Sequence, residues 1–134
     1  MTATRLAERV PPVARWFAVV GIAGSILAAS IVDPGDAVAQ SGPLGLLAVS
    51  TWAHVGGYAA LAFAVLWSFE GSVSVENAMI AGGTLGVVVY GALIELLQST
   101  LPYRSCTVAD MTANGVGALL GVTTWALLDW IDRR

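Results

Sequence analysis

A histidine, a glutamate, a glutamine, an arginine, an aspartate and an asparagine stand inside or beside otherwise apolar stretches between Trp52 and Gly121: His54, Glu95, Gln98, Arg104, Asp110 and Asn114. A polar group in hydrocarbon is costly and is retained for a reason, which makes each of these a candidate for binding or proton chemistry. His54 can accept or donate a proton at the edge of neutral pH. Glu95 and Gln98, three residues apart, share one helix face, as do Asp110 and Asn114, four apart. A carboxylate and an imidazole in one pocket suit acid–base work, and a guanidinium beside them suits a phosphate or carboxylate ligand.

The elements that must hold these groups are membrane helices. The chain has 134 residues, 57% of them hydrophobic and only 11% charged, with a mean hydropathy of +0.77. A soluble domain carries about 25% charge. Four apolar runs approach the ~20 residues that cross a bilayer, at about 13–32, 50–69, 78–101 and 108–130. They use nearly the whole chain, so the expected architecture is an all-α integral membrane bundle of four transmembrane helices, a single domain over 1–134. The apolar stretch from Leu44 to Val49 is too short to span and reads as an interfacial or re-entrant piece, with Ser50 or Thr51 as a cap for the second span.

Arg5, Arg9 and Arg15 precede or open the first span, Arg133 and Arg134 follow the last, and Arg104 alone lies in a connection. The positive-inside rule then gives an N-in, C-in topology in the cell membrane. The first span has a competing reading as a cleavable signal peptide, with Ala37-Val38-Ala39 as its cleavage site. Under the N-in topology all six polar groups fall at one depth, near the outer surface. Gly117 with Gly121, Gly82 with Gly86, and the Gly56-Gly57 pair are small-residue surfaces that let helices close around them. With the third span running to Leu101, Glu95 sits roughly 9 Å below the helix end. Arg104 or protonated His54 is its expected cation there, with Gln98 and Asn114 as hydrogen-bonding partners.

The acidic balance, a net charge of -3, argues against nucleic acid as a partner. The lone Cys106 gives neither a disulfide framework nor a thiolate metal cluster. A nucleophilic Cys106 working with His54 is a further, weaker reading. No metal-ligand cluster, phosphate loop or nucleophile elbow is present, so no metal and no cofactor is expected.

The same residues resemble the VanZ-like family of small membrane proteins. Its members commonly show a His with a Tyr four residues on, a Gly-xxx-Glu-xx-Gln run, a Pro-x-Arg turn and an Asp-xxx-Asn-xx-Gly run. Here these are His54 and Tyr58; Gly91, Glu95 and Gln98; Pro102 and Arg104; Asp110, Asn114 and Gly117. The four motifs occur in order over about 50–121, although Ser50 and Thr51 stand where relatives often carry an Asp-Lys pair. The resemblance implies a four-helix membrane protein, linked in its namesake to teicoplanin resistance, and supplies no reaction.

For each polar residue a structural role stands beside the functional one. His54 is either a proton-handling group or a neutral histidine bonded across the bundle. Asp110 fits a helix N-terminus, Asn114 an interhelical hydrogen bond, and Arg104 a helix-end cap or a lipid phosphate contact. Tyr58, Trp16, Trp52, Trp67 and Trp130 read as interfacial anchors. Two functions follow. One is a cell-envelope accessory protein, not an enzyme, whose outward pocket of His54, Tyr58, Glu95, Gln98, Arg104, Asp110 and Asn114 binds a membrane lipid, a lipid-linked or anionic envelope ligand or an antibiotic. The other is a membrane enzyme that uses His54 and Glu95 as acid and base on a lipid-linked or phosphate-bearing substrate. A proton or ion path is disfavoured, because the inner halves of the spans offer few polar groups beyond Ser and Thr. Oligomeric state is open.

Overall fold

The computed structural model describes residues 9–35, 40–70, 77–104 and 107–134. Arg5, the Ala37-Val38-Ala39 cleavage motif and Cys106, on which three sequence-based expectations rest, lie outside them.

Four long helices make up the fold: α1 (Pro12–Ile31), α2 (Val49–Phe69), α3 (Asn77–Gln98) and α4 (Val108–Asp132). Each is long and apolar enough to cross a membrane. No strand occurs among the described residues, and one isolated bridge pairs Ser41 with Ala48. Their outward faces carry large apolar side chains such as Phe17, Leu85 and Leu119, which suits hydrocarbon as the surrounding solvent.

Local chemistry sets the ends. Pro12 occupies the first turn of α1, where a missing N–H costs nothing. The helix stops at Val32, extended ahead of Asp33-Pro34. The third helix ends at Gln98 rather than running to Leu101, because the Ser99 and Thr100 hydroxyls turn back onto the carbonyls of Leu96 and Leu97, and Pro102 follows. Glu95 therefore lies in the last turn of α3, not two turns below its end. Thr107 caps α4 by accepting from the Asp110 N–H at 3.1 Å, and its hydroxyl donates to the Asp110 carboxylate at 2.5 Å, which fixes the cap's rotamer. The expected Ser50 or Thr51 cap does not form: Ala48 precedes α2 and no side chain caps it.

α2 is the central helix, packed against the other three, and its contact with α4 is the most extensive in the protein. Glycine makes that contact. A Cβ on Gly117 would overlap the Val55 carbonyl, and one on Gly121 would overlap that of Ala59. Gly82 and Gly86, the other expected pair, meet nothing within 4 Å, and leave an open stripe on α3. A small core of Tyr58, Leu61, Ala62, Val87 and Ala118 fills the middle of the bundle.

α1 is the least embedded helix, and its ties are hydrogen bonds to backbone at three levels. At one end Arg15, only 2% exposed, donates to the carbonyls of Trp67 and Glu70 that end α2. Midway, the Tyr90 hydroxyl donates to Ala23 O at 2.6 Å. At the far end Tyr103 donates to Ile31 O at 2.7 Å, and Arg104 Nη2 to Ala29 O at 2.5 Å and Val32 O at 2.8 Å. Two arginines thus clamp helix C-termini, where carbonyls lack intrahelical donors and the helix dipole favours a cation.

The loop joining α1 to α2 is compact in its described part. Val49 N–H donates to Gln40 O and Gly42 N–H to Leu47 O, around a 3₁₀ turn at Pro43–Gly45. It presents Leu44 and Leu46 outward, consistent with an interfacial piece. Trp52 packs on Gly42, where a Cβ would collide with its ring, so this tryptophan serves as the loop's internal support rather than as a free anchor.

Candidate functional site

Two polar clusters occupy opposite ends of the bundle. The first joins the start of α2, the end of α3 and the start of α4. Asn114, 6% exposed, is its hub: its Nδ2 donates to Glu95 Oε1 at 3.1 Å, and its Oδ1 lies 2.7 Å from His54 Nδ1. An amide that gives its N–H to the carboxylate turns its oxygen to the imidazole, so Nδ1 of His54 carries the hydrogen. Nε2 is then the nitrogen left for chemistry. It faces Asp110 Oδ1 at 4.0 Å, while Glu95 Oε1 stands 3.6 Å from Nδ1. Tyr58, one turn below, lies nearly parallel to the His54 ring. Gly91 admits both neighbours to the surface of α3, since a Cβ there would lie 3.0 Å from the Tyr58 ring and 3.4 Å from Asn114 Nδ2.

Beside this chain is a cavity of about 490 Å³ between α1 and α2, closed at one side by the end of α3 and the Arg104 turn. Ile26, Ala29, Val32 and Ala53 form apolar wall, and His54, Tyr58, Gln98 and Arg104 supply polar groups. Ala28, Ala29 and Ala53 are exposed, so the cavity opens on the flank of the bundle. The Tyr58 hydroxyl is buried without a hydrogen-bond partner. Gln98 is 4% exposed, and its amide makes no hydrogen bond among the described residues.

The seven residues expected to share one pocket therefore fall into two sets. His54, Tyr58, Gln98 and Arg104 line the cavity; Glu95, Asn114 and Asp110 stand behind His54 and line none of it. Arg104 is not the counter-ion of Glu95. Its guanidinium goes to the α1 terminus because the turn after α3 points it across the cavity mouth, where unpaired carbonyls are the nearest acceptors.

The second cluster, at the other end, corrects the expectation that this half is almost devoid of polar groups. Glu70, 5% exposed, accepts from the Trp125 indole N–H, and Arg15 clamps its carbonyl. Trp67 Nε1 is buried there rather than reaching an interface. No sequence pattern marks this cluster, since its members come from three helices far apart in the chain. Burial raises the Glu70 carboxyl above the usual 4.5; the Trp125 bond lowers it, Asp129 raises it, Arg15 lowers it and Asp132 raises it. An acid whose folded-state pKa is raised contributes stability below its unfolded value and loses it as pH climbs through the folded value. Thermal stability in detergent is therefore expected to fall as pH rises from about 4.5 toward neutrality. Glu70→Gln, which keeps an acceptor for Trp125, should flatten that slope; an unchanged slope would mean that Glu70 does not set it.

The two clusters are separated by the apolar core around Leu61 and Ala62. Among the described residues they give no continuous polar path, and no group of three metal-binding side chains occurs.

No curated protein and no solved structure matches the chain. A family model described as VanZ/LLP1 matches residues 26–129, which takes in α1 from Ile26, all of α2 and α3, and α4 to Asp129. That span covers well over half of the sequence and includes every residue of the His54 cluster and its cavity, so the chain belongs to the VanZ/LLP1 family and is a VanZ-like multi-pass membrane protein.

Proposed function

We propose that this protein is a cell-envelope accessory protein that binds an amphiphile in the cavity between α1 and α2. The supporting observation is that cavity's wall. At about 490 Å³ it falls in the usual range for small-molecule sites. Its apolar side is open to the flank of the bundle, and its closed side carries the Gln98 amide and the Tyr58 hydroxyl, the latter buried without a hydrogen-bond partner. A buried donor left unmade costs about 1–3 kcal/mol. A ligand with an apolar body and a polar end relieves that cost without leaving the membrane.

By the positive-inside rule, the end that carries Arg9, Arg15, Arg133 and Arg134 faces the cytoplasm, and the His54 end faces outward from the plasma membrane. The ligand would then come from the outer leaflet or the envelope beyond it. An effect on glycopeptide antibiotics, as in the family's namesake, fits a protein that changes which amphiphiles are held there.

Filling the cavity tests this. In native mass spectrometry of the purified full chain, the wild type should retain one amphiphile per protein, and Ala29→Phe should lose it while keeping its melting temperature. Equal retention by both would place the bound lipid elsewhere and sink the reading.

The hydrogen-bonded order of His54, Asn114 and Glu95 favours a second reading, in which His54 Nε2 acts as a base on the bound molecule. Glu95 is fully buried and reaches the cavity side through Asn114 and His54, so the direct acid–base pair narrows to His54 with Glu95 as a positioning residue.

A further inference from the structure

We infer that the amphiphile's polar end is an anionic phosphate, held by Arg104, Gln98 and Tyr58, and that Arg104 is shared between this phosphate and the C-terminus of α1. The inference rests on the amphiphile-binding reading and names its ligand class. Three observations carry it.

First, among the described residues the side chains of the wall that can carry charge near neutral pH, His54 and Arg104, are both bases. Of the described carboxylates at this end, Glu95 and Asp110 lie on the far side of His54, engaged by Asn114 and Thr107, and Asp33, just past the end of α1, accepts from the Gly35 N–H at 3.0 Å; none of the three lines the wall. The cavity is therefore a place where negative charge meets donors first, in surroundings that strengthen such bonds. A cationic headgroup would face the Arg104 guanidinium with no carboxylate among the described wall residues to offset it.

Second, the polar groups that lack partners are donors suited to phosphate oxygens. The Tyr58 hydroxyl and Arg104 Nε are buried without a hydrogen-bond partner, and the buried Gln98 amide offers two N–H groups. Ser50, at the start of α2, adds a hydroxyl to the same wall. A phosphate presents several acceptor oxygens and can take bonds from all of them, whereas a hydroxyl headgroup would satisfy one or two.

Third, Arg104 spends only Nη2 on the α1 terminus, with both bonds made from that one atom. The rest of a five-donor fork remains for a ligand at the cavity mouth. A phosphate drawing the fork inward would lengthen the bonds to Ala29 O and Val32 O, leaving Tyr103 to hold the end of α1 through Ile31 O. Occupancy of the cavity is thereby tied to the position of α1, the helix with the least packed surface.

The test uses the full chain in detergent with lipids of matched acyl chains, phosphatidylglycerol against diacylglycerol, scored by native mass spectrometry and by amide exchange. Phosphatidylglycerol should bind about tenfold or more tightly than diacylglycerol, in line with charged hydrogen bonds. That preference should collapse in Arg104→Gln and shrink several-fold in Gln98→Met, and phosphatidylglycerol should speed exchange of the amides in the last turn of α1. Gln98→Met removes no bond among the described residues, so it remains informative if Arg104→Gln folds poorly. Glycerol phosphate and inorganic phosphate, added alone, should compete only weakly; competition equal to the lipid's would assign the site to a soluble phosphate and overturn a lipid source. Equal binding of both lipids, blocked by Ala29→Phe, would overturn the phosphate while leaving the amphiphile pocket in place. Binding of neither lipid would remove both.

Discussion

Gly121→Ala is expected to destabilise the protein by on the order of 3 kcal/mol, and Gly117→Ala nearly as much, because overpacking against unyielding atoms sits at the upper end of its usual cost. The atoms met by the new methyl are the carbonyls of Ala59 and Val55, which belong to the α2 backbone and cannot rotate away. Either α4 moves off α2 or the backbone distorts. Since α2 carries His54 and α4 carries Asn114, separation also opens the 2.7 Å contact between them. Gly82→Ala and Gly86→Ala supply the control: nothing lies within 4 Å of either, and the better helix propensity of alanine is worth up to about 1 kcal/mol. Thermal unfolding of all four variants in the same detergent should rank Gly121 and Gly117 well below the wild type, with Gly82 and Gly86 at or above it. Equal losses at all four sites would show that α2 and α4 do not meet through these glycines.

Asn114→Leu should cost a similar amount, also on the order of 3 kcal/mol, for a different reason. It leaves the His54 Nδ1–H without its acceptor and takes one donor from Glu95, and buried groups deprived of a partner cost about 1–3 kcal/mol each. Removing the carboxylate as well is expected to return part of the loss, since a polar network replaced whole by apolar groups is often near neutral. The double variant Glu95→Leu with Asn114→Leu should therefore melt above Asn114→Leu alone. If the single variant melts with the wild type, Asn114 does not hold the cluster together. The amphiphile supplies an independent readout. Asn114 lines none of the cavity, so weaker binding in a folded Asn114 variant would show that the orientation of His54 matters to the ligand.

The four helices were legible in the sequence because spanning is a property of composition along a segment. A run of apolar residues long enough for hydrocarbon must satisfy its backbone internally, whatever its neighbours do. The same holds for the convergence of His54, Glu95 and Asn114, which follows once alternate helices reverse direction and the polar residues are placed by their distance from each helix end. The VanZ-like motifs identified the family on the same residues. Gly117 with Gly121 and Gly82 with Gly86 look alike as patterns, yet one pair sits under a neighbouring backbone and the other meets nothing. Spacing specifies a surface, and only packing decides whether that surface is used.

Long side chains were the least legible, for a related reason. Arg15 and Arg104 mark membrane sides by their charge, but a guanidinium reaches several ångströms and takes the nearest free carbonyls. Those carbonyls belong to helices about 50 and 70 residues away in the chain. Glu70 and Trp125, 55 residues apart, meet for the same cause. The sequence by itself determined a VanZ-like bundle of four membrane-length helices with a polar cluster at one end, because segment hydropathy and helix direction are local quantities. The tertiary structure alone decided that Arg104 holds the end of α1 and not Glu95, and that a cavity lies beside His54. A cavity is the space several elements fail to fill together, and no single stretch of chain encodes it.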